Sequence, residues 1–153
     1  MNNMDRSAKA VALFEEGYNC CQAVVLAFSD LLPVDRDVLA ALSSSFGGGI
    51  GRLREVCGAV SGMAAVAGIL KGYSGPETGP LKAEHYARIQ KLAGEFEEKH
   101  QTIICRELLA LTEKHDSPVP EQRTPAYYQK RPCAAFVSDA AGILERFLSG
   151  EET

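Results

Sequence analysis

The sequence has no apolar run long enough for a membrane span. Its most apolar stretch, Val56 to Leu70, covers about fifteen residues where a spanning helix needs ~20, and three glycines and a serine interrupt it. That stretch reads as a buried helix. The sequence also has no basic block: 16 Lys and Arg stand against 20 Asp and Glu, with a net charge of −4, so no nucleic-acid partner is expected. The start, Met1-Asn2-Asn3-Met4-Asp5-Arg6, lacks the ordered charged, apolar and cleavage regions of a signal peptide, and a cytoplasmic location is expected. Alternating strand patterns, internal repeats and βαβ punctuation are missing as well. What is left is an all-α chain, expected to be one compact domain over residues 1–153, a bundle of about five to six helices.

Absences also narrow the chemistry. The five cysteines show no Cys-x-x-Cys spacing, which excludes a thioredoxin-like motif and a zinc ribbon. An odd number of cysteines, two of them adjacent as Cys20 and Cys21, does not fit a simple disulfide scaffold, and stable disulfides are uncommon in a reducing compartment. His85, His100 and His115 form no HExxH or other ligand spacing and read as surface residues. The run Gly47-Gly48-Gly49-Ile50-Gly51 has neither a Gly-Lys-Ser/Thr ending nor a preceding strand, so it is not a nucleotide-binding loop. It reads as a loop that lets backbone approach Cys57.

What the sequence does contain is a series of helix signals with cysteines at their starts. Ala8 to Phe14 is helical in period and stops at Gly17. Asn19 caps a second helix from Cys20 to Leu32, ended by Pro33. Asp35 caps a third, with Val38, Leu39 and Leu42 as its apolar positions. After the glycine loop the chain re-enters a helix near Arg54, carrying Cys57 and continuing to Gly68. Tyr73 to Pro80 is a turn region, and Leu81 to Lys99 a long helix with Tyr86, Ile89, Leu92, Ala93 and Phe96 facing inward. Ile103 to Leu111 holds Cys105 in its first turn, with Thr102 as cap. Thr112 to Arg131, with its prolines, reads as an irregular connection anchored by Tyr127 and Tyr128. The last helix opens at Pro132 and Cys133.

Helix N-termini carry partial positive charge and free N–H groups, which stabilise a thiolate. A single cysteine is most often core packing. Four of them, Cys20, Cys57, Cys105 and Cys133, each in a first turn, favour chemistry instead, and they are the candidate catalytic or metal-ligating residues. Arg52 and Arg54, just upstream of Cys57, read either as thiolate-stabilising cations or as solvated charges. Gly58, Gly62 and Gly68 each cost ~1 kcal/mol in a helix interior relative to Ala, so a reason is needed: close helix packing, or room for a bound group beside Cys57, with Gly58 and Gly62 as the candidate cofactor contacts.

Three segments carry a resemblance: Gly17-Tyr18-Asn19-Cys20-Cys21-Gln22-Ala23-Val24, Phe46 to Gly51, and Cys57-Gly58-Ala59-Val60-Ser61-Gly62. With them, together with Cys105 and Cys133, the chain resembles the C_GCAxxG_C_C family of redox-active proteins over nearly its whole length. The resemblance implies that Cys20 is the family's first cysteine, Cys57 its motif cysteine, and Cys105 and Cys133 its third and fourth. Cys21 departs from the small residue usual there, and Arg54 stands where a glycine is expected. The family's association with transport genes implies a transporter-linked role. A similar segment in split-Soret cytochromes implies electron transfer or an iron–sulfur cluster in relatives, though the absence of Cys-x-x-Cys-His excludes covalent haem here.

Three readings follow. In the first, the four cysteines exchange thiols and disulfides with a redox partner, as a thiol-based oxidoreductase. In the second, they hold zinc or an iron–sulfur cluster. In the third, a helical scaffold buries them, and its small-residue helix serves packing or a homodimer.

Overall fold

The Asn19 side chain accepts the Gln22 N–H at 2.8 Å while the Gln22 side chain accepts the Asn19 N–H at 3.0 Å, a reciprocal capping box that starts the central helix. A computed structural model of the chain describes residues 5–76, 79–112 and 116–150. Eight helices and no β-strand occur among the described residues, so the fold is all-α. Helix α1 (Arg6–Glu15) is capped by Asp5, and α2 (Cys20–Leu26) by Asn19. The α2 turn ends earlier than Pro33 would require: Ala27 closes it, and Ser29–Leu31 continues as a short 3₁₀ turn. Asp35 caps α3 (Arg36–Ser43). The long helices α4 (Gly58–Lys71) and α5 (Pro80–His100) follow, then the short α6 (Cys105–Leu108) and α7 (Pro125–Lys130), and finally α8 (Cys133–Leu148).

Helices α2 and α4 form the centre, packed on each other. Helix α1 lies on α2 and α8, α3 lies on α2, and α5 lies on α4 and α8. The buried residues make one contiguous core in which Phe14, Val24, Phe28, Met63, Phe96 and Leu144 are among the fully buried side chains. No helix among the described residues is long and apolar enough to cross a membrane.

Several expectations are corrected. The helix after the glycine loop starts at Gly58, not near Arg54, because Ile50, Arg52 and Arg54 all have left-handed backbone and cannot continue a right-handed helix. In α3, Leu39 and Ser43 face the core and so turn Val38 and Leu42, 54% and 61% exposed, to solvent. On α5 the inward stripe is His85, Ile89, Leu92 and Phe96, with spacings of four, three and four residues. Tyr86, one position off that stripe, is exposed and contacts the Tyr73 hydroxyl at 3.1 Å. His85 is thus buried and not a surface residue, and its ring lies 3.1 Å from the Arg88 guanidinium. His100 is half-buried against Phe96 and Phe136 and contacts Asp139 at 2.8 Å. His115 lies outside the described residues, as do Glu77 and Thr78 of the expected turn region. The stretch expected to be wholly irregular contains α7, capped by Thr124 with Pro125 in its first turn.

Candidate functional site

A single pair of residues outside the helices brings two distant cysteines together. Val56 and Ile104 form an isolated antiparallel bridge. On either side of it the Cys57 N–H donates to the Ile103 carbonyl at 2.8 Å, and the Cys105 N–H to the Glu55 carbonyl at 2.6 Å. Cys57 then caps α4 and Cys105 opens α6. Packing of α2 on α4 adds Cys20, and α8 adds Cys133 at its first turn. All four cysteines line one cavity of about 530 Å³. The helix-start pattern leaves open whether the four cysteines converge; the structure brings them to one cavity wall, and all five cysteines are free thiols in it.

The glycines explain how close the approach is. A Cβ on Gly58 would overlap the Cys20 sulfur and come within 2.8 Å of the Phe46 carbonyl. One on Gly62 would lie 3.0 Å from the Cys21 carbonyl and from Val24 Cβ. The space that a side chain would need at these positions is therefore taken up by α2, and at Gly58 by the Cys20 sulfur itself; Gly58 also lines the cavity, and Gly62 does not. Nothing lies within 4 Å of the Gly68 position, so no close contact accounts for that glycine.

The glycine loop performs the second half of the task. Gly48, Gly49, Ile50, Gly51, Arg52 and Arg54 all have positive φ, between 54° and 73°. This left-handed path folds the loop so that the Arg54 and Glu55 N–H groups return to the Gly48 and Gly49 carbonyls at 3.1 and 3.0 Å. It also brings the Gly48 N–H to Cys20. Three of the six positions are not glycine, and strained backbone of this kind persists only where surrounding structure holds it. Arg54, at φ 61°, takes the conformation that a glycine would adopt without strain.

The four sulfurs are not equivalent. Hydrogen bonds from the Cys57 thiol and from the Gly48, Cys21 and Gly58 backbone N–H groups outweigh burial at Cys20 and bring its pKa from 9.0 down to about 6. Cys57 goes the other way: as donor to Cys20, buried and beside its charge, it is held strongly as the neutral thiol. Burial raises Cys105, opposed by the Arg54 guanidinium, whose Nη1 lies 3.5 Å from the Cys105 sulfur. Burial and the neighbouring Cys20 and Cys105 push Cys133 up to about 12. The low pKa of Cys20 thus comes first from Cys57 and then from backbone N–H groups, including those at the starts of α2 and α4. Any helix-start effect is outweighed by the hydrogen bond to Cys20 and burial at Cys57, and by burial at Cys105 and Cys133. Cys21, 1% exposed, is a core residue pushed up to about 12 and does not line the cavity.

Arg54 serves Cys105 and not Cys57: its Nη2 also pairs with Asp116 at 3.1 Å, and Arg52 pairs with the same carboxylate at 3.2 Å. Two further cations on the cavity wall, Arg123 and Arg131, were not visible as site residues in the sequence. They sit in the proline-rich segment, and only folding of that segment over the cavity gives them a role. The Thr124-Pro125 start of α7 between them was the one available signal.

Among the described residues, no group of three or more His, Cys, Asp or Glu side chains is disposed to hold a metal ion. Four cysteines around one cavity, one of them with a lowered pKa beside a proton-donating neighbour, define an all-helical protein with a candidate cysteine-centred site. A family model described as "Putative redox-active protein (C_GCAxxG_C_C)" matches residues 18–147, and the chain belongs to that family. No curated protein and no solved structure matches it.

Proposed function

We propose that the chain is a thiol-based redox protein in which Cys20 and Cys57 are the exchanging pair. The observation that carries this reading is the Cys57 thiol donating to the Cys20 sulfur, both on the wall of one cavity. At neutral pH the pair holds one proton and one negative charge, the state required for nucleophilic attack on a disulfide.

The Cys20 thiolate attacks a sulfur of an oxidised partner, forming a mixed disulfide and displacing the second sulfur as a thiolate. That step removes the Cys20 charge and the acceptor that had held the Cys57 proton. Two of the three leading causes that raise Cys57 therefore vanish, and it ionises more readily. Its sulfur then attacks the Cys20 sulfur, breaks the mixed disulfide, closes the Cys20–Cys57 disulfide and releases the partner sulfur that Cys20 had attacked. Two electrons pass to the partner, and a dithiol donor reverses the sequence. Cys105 and Cys133 remain neutral thiols on the same wall, open to a second oxidation. A cytosolic setting would keep this site reduced at rest.

Zinc or an iron–sulfur cluster would draw on the same four sulfurs, and their shared cavity is the observation in favour of that second reading. Thiol exchange ranks first because the asymmetry between Cys20 and Cys57 serves an attacking and a resolving thiol, whereas cluster ligation uses four alike. The test is a thiol count before and after treatment of anaerobically purified protein with a mild disulfide oxidant. A reversible loss of two thiols assigned to Cys20 and Cys57 supports the exchange reading. Unchanged thiols, with stoichiometric zinc or iron, overturn it in favour of the metal site.

A further inference from the structure

The cavity wall carries more positive charge than the rest of the molecule would suggest. The chain as a whole is acidic, with a net charge of −4. Yet Arg52, Arg54, Arg123 and Arg131 all line the cavity, against the carboxylates of Glu121 on its wall and Asp116 behind Arg52 and Arg54. Arg123 has no carboxylate partner among the described residues. Its guanidinium donates to the Phe14 and Tyr18 carbonyls at 2.9 and 3.1 Å and lies 4.3 Å from the centre of the Phe14 ring. Arg54, only 5% exposed, keeps a buried Nε without a hydrogen-bond partner. The Arg123 charge on this partly open wall has no carboxylate to neutralise it, and an anionic ligand would complete it.

The Cys20 thiolate supplies part of that anion, but it leaves the wall in excess positive charge. A cavity of about 530 Å³ is of a size that takes small molecules and not a folded domain. Resting on the dithiol reading above, we propose that the oxidant reduced at this site is a small disulfide whose ends carry carboxylates. Its carboxylates sit against the guanidinium groups and its S–S bond against Cys20.

The reaction balances within that pair of reactants. The Cys20 sulfur forms a bond to one ligand sulfur, the ligand S–S bond breaks, and its electron pair leaves on the outgoing sulfur as a thiolate beside the arginines. Cys57 gives its proton to water and its sulfur bonds to Cys20, and the second ligand sulfur leaves as a thiolate. The leaving thiolates take up protons from water. The protein dithiol is oxidised by two electrons, and one disulfide becomes two thiols.

The experiment follows the rate at which reduced full-length protein is oxidised by three disulfides: glutathione disulfide, which is anionic, 2-hydroxyethyl disulfide, which is neutral, and cystamine, which is cationic. Each rate is divided by that disulfide's rate with a small-molecule dithiol. Charge focusing in a cleft raises association rates by about tenfold or more. The expected order is anionic, neutral, cationic, with at least ~10-fold between the first two at low ionic strength. About 0.5 M salt should collapse the ratio. Arg131→Gln should narrow it, and Glu121→Gln, which frees Arg131 from its ion pair, should widen it. The salt series needs no variant and so does not depend on how these substitutions fold. An anionic rate no greater than the neutral one overturns the proposal, as does a preference that neither salt nor the charge variants move. If none of the three disulfides oxidises the Cys20–Cys57 pair, the dithiol reading falls with it. If the neutral or cationic disulfide leads, only the substrate class falls.

Discussion

Cys20 is the residue on which the chemistry turns, and its environment has measurable consequences. Alkylation of the reduced native protein should show one fast thiol with a midpoint near pH 6, located at Cys20 by peptide mapping. Cys57→Ala removes the leading donor to that thiolate and should move the midpoint upward; an unchanged midpoint would mean that the backbone N–H groups suffice alone. Folding stability follows the same protons. Between about pH 6 and 9 the folded chain holds Cys20 ionised while the unfolded chain still binds its proton, so the Cys20 contribution to stability grows as pH rises and is lost below pH 6. Cys21 and Cys133 behave oppositely: pushed up to about 12, they stay neutral in the folded chain while the unfolded chain ionises above pH 9, so their contribution is lost as pH rises toward 12. The cysteine contribution to the melting temperature of the reduced protein should therefore peak near pH 9, measured as the difference from a variant with all five cysteines replaced by alanine. The placement of Cys20 was legible in the sequence because Asn19 and Gln22 form a purely local capping box. The neutral state of Cys57, Cys105 and Cys133 was not, because burial depends on contacts between helices that are far apart in sequence.

At the scale of elements, α4 offers a comparison within one helix. Gly58→Ala places a methyl group on the Cys20 sulfur and the Phe46 carbonyl, and should destabilise by about 1–3 kcal/mol while disturbing the fast thiol. Gly68→Ala meets nothing within 4 Å and should stabilise by up to ~1 kcal/mol through helix propensity, leaving alkylation unchanged. Chemical denaturation of the two variants checks both, and equal effects would mean that Gly58 is not a packing constraint. Helix boundaries were readable where caps are local, as at Asn19 and Asp35. The α4 start was misplaced because Arg54 and Val56 look helical in composition, while their backbone is committed to a left-handed turn and a bridge to Ile104. Helix α7 was obscured by neighbouring prolines, although one of them, Pro125, is its first residue.

For the whole molecule, the path of the chain matters more than any single element. The sequence places four cysteines at helix starts, but their convergence depends on the Val56–Ile104 bridge, the packing of α2 on α4, and the start of α8. Arg54 lies beside Cys105 only because the glycine loop reverses direction, and Arg123 reaches the cavity by spanning from the proline-rich segment to the Phe14 and Tyr18 carbonyls. Arg123→Ala should therefore destabilise the protein, since it loosens the segment that closes the cavity against α1. A loss of about 1–3 kcal/mol is expected in urea denaturation, more than for an ordinary surface arginine. The most direct measurement of the central claim is non-reducing peptide mapping of the protein after one equivalent of disulfide oxidant. The account predicts a mass loss of about 2 Da, a Cys20–Cys57 cross-linked peptide as the main product, and full recovery of both thiols on reduction. A cross-link that excludes Cys20, or protein that retains all five thiols, would contradict it.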